Sequence, residues 1–210
     1  MFNETNRIVS FVKSPDERRR SDRAHAAILE AASQTVQELG YGKTTIEGIA
    51  ARAGVGKQTI YRWWASKGAV VIDALLAGQT ETEWPDSGDL GADLRLVLRA
   101  TTLEFADERT SATLRALMLD MQDDPALSES VMTRMLGPQL EATKRRLRSA
   151  QQAGQVDAAV DLDLAVEVIF GPIYHRWILR THPFDEAYAD ALTNLAIRAL
   201  GPAVAGAVGR

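Results

Sequence analysis

The chain has 210 residues, 46% of them hydrophobic and 25% charged, which is enough to bury one large core or a small and a larger one. It contains no cysteine, which excludes disulfides, thiolate metal sites and cysteine nucleophiles, and no run of about 18 apolar residues that could span a bilayer. The net charge of −4 is unevenly spread: residues 1–70 hold 11 Lys and Arg against 7 Asp and Glu, while residues 71–210 hold 13 against 21, so a part suited to phosphates precedes an acidic remainder.

The first twenty residues lack the apolar stretch and cleavage signal of a secretory leader, so the expected location is the cytoplasm. Residues 1–21 show no sustained periodicity and read as a mobile charged arm. Arg18, Arg19 and Arg20 suit either a minor-groove contact or plain solvation. From Asp22, Ile28, Ala31, Ala32, Val36 and Leu39 fall on one helical face that stops at Gly40. Thr44 or Thr45 can cap a helix with Ile46, Ile49, Ala50 and Ala53 inward, ended by Gly54. A short helix follows from about 56 to 64, and Ser66 caps another running to about Glu83, broken by Trp84-Pro85-Asp86-Ser87-Gly88.

Further helices are expected near 89–106, 110–122 and 125–136, the last interrupted at Gly137-Pro138, then at 138–153, 162–180 and 185–200. The helix at 162–180 is apolar around most of its circumference and must be covered on more than one side. No segment alternates as a strand does. The fold class is therefore all-α, with about nine or ten helices. An N-terminal three-helix domain (22–66) follows the arm (1–21), and a larger helical domain (67–210) completes the chain.

The informative stretch is Thr44 to Lys67, TTIEGIAARAGVGKQTIYRWWASK. Two short helices joined by a tight glycine turn have the dimensions of a helix-turn-helix, here 45–64, whose second helix fits a major groove about 12 Å wide. Lys57, Gln58, Thr59, Tyr61 and Arg62 would give its outer face donors for phosphates and base edges.

With Thr45, Ile49, Ala50, Ala53-Gly54-Val55, Thr59, Ile60, Tyr61, Trp64 and Ser66-Lys67, this segment resembles the DNA-binding domain of the tetracycline repressor (TetR) family. The motif-level match spans about residues 24–72. The family usually has a serine where this chain has Gly56 and often a His-Phe pair where it has Trp63-Trp64. The resemblance implies a DNA-contacting set of Thr44, Thr45, Lys57, Gln58, Thr59, Tyr61 and Lys67, with Tyr61 and Lys67 on phosphates and Lys57 and Gln58 on bases. It also implies double-stranded operator DNA as partner, a homodimer through the helices near 162–180 and 185–200, and a small-molecule effector in the C-terminal domain. No cofactor and no membrane partner are expected.

Candidate pocket residues are Phe105, Leu114, Leu117, Met118, Met121, Phe170, Tyr174 and Trp177, each of which singly also reads as core. Trp64 reads as packing, and Trp63 is open between packing and stacking. His175 and His182 lack the spacing of a metal pair, so no metal site is expected. Lys144, Arg145, Arg146 and Arg148 read as an exposed helix face or interdomain salt bridges. The resulting expectation is a repressor released from a palindromic operator by a small apolar effector. An activator, an effector-independent regulator and an all-helical enzyme are the competing readings. Against the enzyme stand the absence of cysteine, of a histidine within an acid-base constellation and of a Gly-rich phosphate loop.

Overall fold

The structure is a computed structural model describing residues 15–77 and 84–202. Its first helix, α1 (Pro15–Leu39), starts seven residues before the expected Asp22. The arm reading is thus corrected for 15–21, while residues 1–14 lie outside the described residues.

After a short 3-10 turn (Tyr41–Lys43) come α2 (Ile46–Ala53), α3 (Lys57–Tyr61) and α4 (Lys67–Leu76). Ile28, Ala32, Ile49, Ile60, Trp64 and Val70 close the core of this small domain. Residues 78–83, in which the fourth helix was expected to end, lie outside the described residues.

The remaining helices are α5 (Leu90–Ala106), α6 (Glu108–Asp123), α7 (Pro125–Val131), α8 (Gly137–Gln152), α9 (Leu162–Leu179) and α10 (Glu186–Leu200). Asp89, Asp107, Asp124, Asp161 and Asp185 each cap the helix that follows by accepting an amide hydrogen of its first turn. The larger core joins α5, α8, α9 and α10 through Leu94, Leu98, Leu147, Ile169, Ile173 and Leu192. A third core lies between the domains, where Val36, Tyr41, Val71 and Ile72 meet Leu117, Leu127 and Val131.

Two expectations for the larger domain are corrected. Gly137-Pro138 does not interrupt the helical run: a π turn (Met132–Leu136) carries it into α8, with the Gly137 amide donating to the Met132 carbonyl. Pro138 then falls in the first turn of α8, a place where proline is tolerated. The basic cluster is not one exposed face, because only Arg145 and Arg148 are exposed. Lys144 pairs with Glu141 and with Asp163 of α9, and Arg146 is buried.

Arg146 Nε donates to Asp93 Oδ2 at 2.7 Å and also lies 3.3 Å from Asp86 Oδ1, while Nη2 lies 2.7 Å from the same Asp93 oxygen. The Ser87 amide and hydroxyl also donate to Asp93, the latter at 2.7 Å, so the pair fastens the 84–88 segment and α8 to α5. Burial opposes ionisation of Asp93. The hydrogen bonds from Ser87 and Arg146, with the charge of Arg146, outweigh it and hold the carboxyl below its ordinary range.

Removing one partner of a buried pair strands the other charge. Arg146→Ala is expected to cost about 3–5 kcal/mol in urea unfolding. Because the folded pKa of Asp93 is depressed, its contribution is present above the unfolded carboxylate value of about 4 and is lost as pH falls through the folded value. Wild-type stability should therefore drop below about pH 4, while Arg146→Ala loses less over the same interval.

Candidate nucleic-acid interface and internal cavity

The approach to α2 and α3 is set by small, local interactions. The Thr45 hydroxyl accepts the Gly48 amide hydrogen at 3.0 Å and so caps α2. Gly54 ends the helix at φ 66° and ψ 31°, a left-handed conformation that glycine adopts without Cβ strain. The next turn delivers α3 with Ile60 buried beneath it. Gly56 stands before α3 without a side-chain cap, the place where a serine would supply one. Ser66 then caps α4 through the Ala69 amide.

This geometry turns Lys57, Gln58 and Tyr61 outward together, with Thr59 half-buried between them. Tyr61 is 52% exposed, an aromatic ring held in solvent on the outer face of a five-residue helix. Lys57 Nζ lies 3.2 Å from Glu47 Oε1, and both side chains are exposed, so this weak ion pair is readily exchanged for another anion. Arg62 is exposed and lies over the Trp63 ring at 4.8 Å. Trp64 is buried and donates to Asp73 at 2.7 Å. Trp63 packs edge-on against it and against His25.

Two members of the expected contact set face inward. Thr44 is buried, its hydroxyl donating to the Gly40 carbonyl at 2.9 Å, so it closes the turn before α2 rather than reaching the surface. Lys67 Nζ lies 3.3 Å from the Tyr41 carbonyl, 3.9 Å above the Tyr41 ring and 4.0 Å from Asp120, so it must leave these partners to meet a phosphate. Lys43, exposed in the 3-10 turn, adds a positive charge beside the Thr45 cap that sequence reasoning passed over. Its position two residues ahead of a capping threonine was the available signal.

A cavity of about 440 Å³ lies in the larger domain between α5, α6, the π turn, α8 and α9. Of the candidate pocket residues, Phe105, Leu114, Met118, Phe170, Tyr174 and Trp177 line it. Leu117 and Met121 do not, because they sit on the side of α6 that packs into the core between the domains. Phe105 and Trp177 stack at 4.7 Å with 19° between their planes, and Tyr174 meets both edge-on. The Trp177 indole N–H donates to the buried Ser111 hydroxyl at 2.6 Å, which leaves the ring faces without a polar demand. His175 and His182 are exposed, and no group of three metal-binding side chains occurs among the described residues.

An all-helical chain with a capped helix-turn-helix ahead of a larger helical domain defines a DNA-binding regulator. Residues 28–74 match the family described as bacterial regulatory proteins of the tetR family, and residues 84–196 match the tetracyclin repressor-like C-terminal domain. The uncharacterized HTH-type transcriptional regulator YdeS of Bacillus subtilis (strain 168) is 33% identical over 177 residues, covering 83% of this chain and 88% of that protein. A DNA-binding transcriptional repressor TetR of Mycobacteroides abscessus is 28% identical over 181 residues, 83% of this chain and 92% of that one. The crystal structure of the TetR family transcription regulator SCO0332 superposes with a TM-score of 0.71 at 30% identity, covering 86% of this chain and all of that one. The chain belongs to the TetR family of transcriptional regulators. Members of the family bind operator DNA and dimerise. No helix among the described residues is long and apolar enough to cross a membrane.

The local geometry makes a direct prediction about the turn. A Cβ at Gly54 would meet no neighbour within 4 Å, so Gly54→Ala tests the backbone conformation alone. It is expected to destabilise the protein by about 1 kcal/mol, read as a lowered Tm.

Proposed function

We propose that this regulator is a ligand-responsive repressor: a homodimer occupies a palindromic operator and leaves it when a small, largely apolar effector enters the cavity of the larger domain. The observation that carries this reading is the double engagement of α6. Leu114 and Met118 of that helix line the cavity, Leu117 lies in the core between the domains, and Asp120 accepts the Tyr41 hydroxyl at 2.7 Å. A ligand that displaces α6 therefore acts on the small domain through packed contacts, and its differential affinity for two dimer geometries sets the response.

On DNA, Lys57, Gln58 and Tyr61 make the recognition surface, with Thr45 and Thr59 beside them. Lys67 joins the set on release from Tyr41. The dimer forms through α9 and α10. Support comes from an exposed stripe on α9, Leu164, Val168, His175 and Ile178 at helical spacing, and from exposed Leu195 on α10. Such a stripe is more apolar surface than an isolated helix face should leave in water.

Fluorescence anisotropy with DNA from immediately upstream of the protein's own coding sequence tests the reading. Selective binding is expected to weaken steeply with salt. Lys57→Ala and Gln58→Ala should each relax base preference at a cost of about 1–3 kcal/mol, whereas Lys67→Ala, which removes a phosphate contact, lowers the salt slope by about one. Tyr61→Ala should cost at least about tenfold in affinity. Leu164→Glu combined with Leu195→Glu is expected to yield a monomer in sedimentation and to abolish tight binding. Wild-type protein that shows no sequence preference would contradict the proposal.

A further inference from the structure

Among the described residues, the cavity's lining holds one carboxylate. Glu104 of α5 lines it yet is exposed as a residue, which puts it at the opening, close to the first turn beyond Thr101 and beside the aromatic wall. Desolvation by the atoms around it pushes its carboxyl up from the ordinary glutamate range; burial and then the charge of Glu104 raise the half-buried Tyr174 phenol, so the two groups share one corner. No lysine or arginine lines the cavity among the described residues. Arg115 lies 5.7 Å from the centroid of the Trp177 ring and donates to the Ser111 hydroxyl.

From these observations we infer that the cavity takes a flat, amphiphilic organic cation, with its ring system on the Phe105, Tyr174 and Trp177 faces and its charge beside Glu104. The inference rests on the reading of the cavity as an effector site. Aromatic faces carry a negative quadrupole that attracts a cation, and the Glu104 carboxylate, which has no ion-pair partner among the described residues, gains a counter-ion from such a ligand. An anion of the same shape would meet Glu104 without any lining cation to offset it. The acidic balance of residues 71–210, 13 basic against 21 acidic side chains, works in the same direction by raising the local concentration of cations. The polar side chains of Thr101, Gln139 and Thr143 remain for hydrogen bonds that orient the ligand.

Equilibrium dialysis of the full-length protein against three isosteric probes tests this: N-methylacridinium, neutral acridine at mildly alkaline pH, and acridine-9-carboxylate. The cation is expected to bind about tenfold more tightly than acridine, and the carboxylate most weakly. Glu104→Gln, checked for an unchanged melting curve, should bring the cation's affinity to that of acridine. Met118→Trp, which fills the cavity, should remove binding of both. Equal binding of cation and neutral probe, a preference untouched by Glu104→Gln, or cation binding that survives Met118→Trp would overturn the charge assignment while leaving the effector reading standing. Failure of all three probes to bind wild-type protein would count against the cavity as a site for planar aromatic ligands and overturn both.

Discussion

Neighbouring residues of α4 are buried in two different cores, and the rest of the molecule is organised around that. Val70 packs with Ile28, Ile49, Ile60 and Trp64, while Val71 and Ile72 pack with Tyr41, Leu117 and Leu127. Close-packed interiors do not deform continuously, so a helix whose faces are shared this way moves both domains or neither. Gly68 tightens the arrangement: a Cβ there would fall 2.6 Å from Leu127 of α7, so α4 and α7 approach more closely than any side chain allows. Polar contacts run along the same seam. Asp73 accepts the Trp64 indole N–H and faces Arg134 of the π turn, while Lys67 and Asp120 meet at Tyr41. Burial and then the Asp120 hydrogen bond push the Tyr41 phenol up, which keeps it a donor.

Much of this was legible in the sequence because amphipathic helices advertise themselves. The stripes of α2, α4, α5 and α10, their aspartate, serine and threonine caps, and the glycine stop at Gly54 are local signals that tertiary packing reinforced. The errors arose where a local rule met a distant partner or a subtler backbone. Gly137-Pro138 reads as an interruption until a π turn is allowed.

The site was legible in the same measure. Lys57, Gln58 and Tyr61 are outward because Ile60 and Trp64 fix the inner face of their turn. Thr44 and Thr45 look equivalent on paper, and only the fold decides that one closes a turn and the other caps a helix. Lys67 reads as a phosphate contact and Arg146 as part of an exposed face or of interdomain salt bridges, because their acceptors, Tyr41 and Asp93, lie 26 and 53 residues away in the chain. Leu117 and Met121 share a helix with cavity residues but face the other core. Glu104 drew no notice, since a glutamate on an amphipathic helix ordinarily marks the solvated side.

Charge and packing thus divide the labour: the positive end carries donors on a short helix, and the acidic end holds a lined cavity, with α4 and α6 between them. The central claim is that the α3 surface reads DNA twice, once per protomer of a dimer. Hydroxyl-radical and methylation footprinting on the DNA upstream of the protein's own coding sequence tests it most directly. The account predicts two dyad-related major-groove contacts whose centres are about 34 Å or a whole number of turns apart. A single protected patch, or protection spread evenly and without sequence preference, would contradict it.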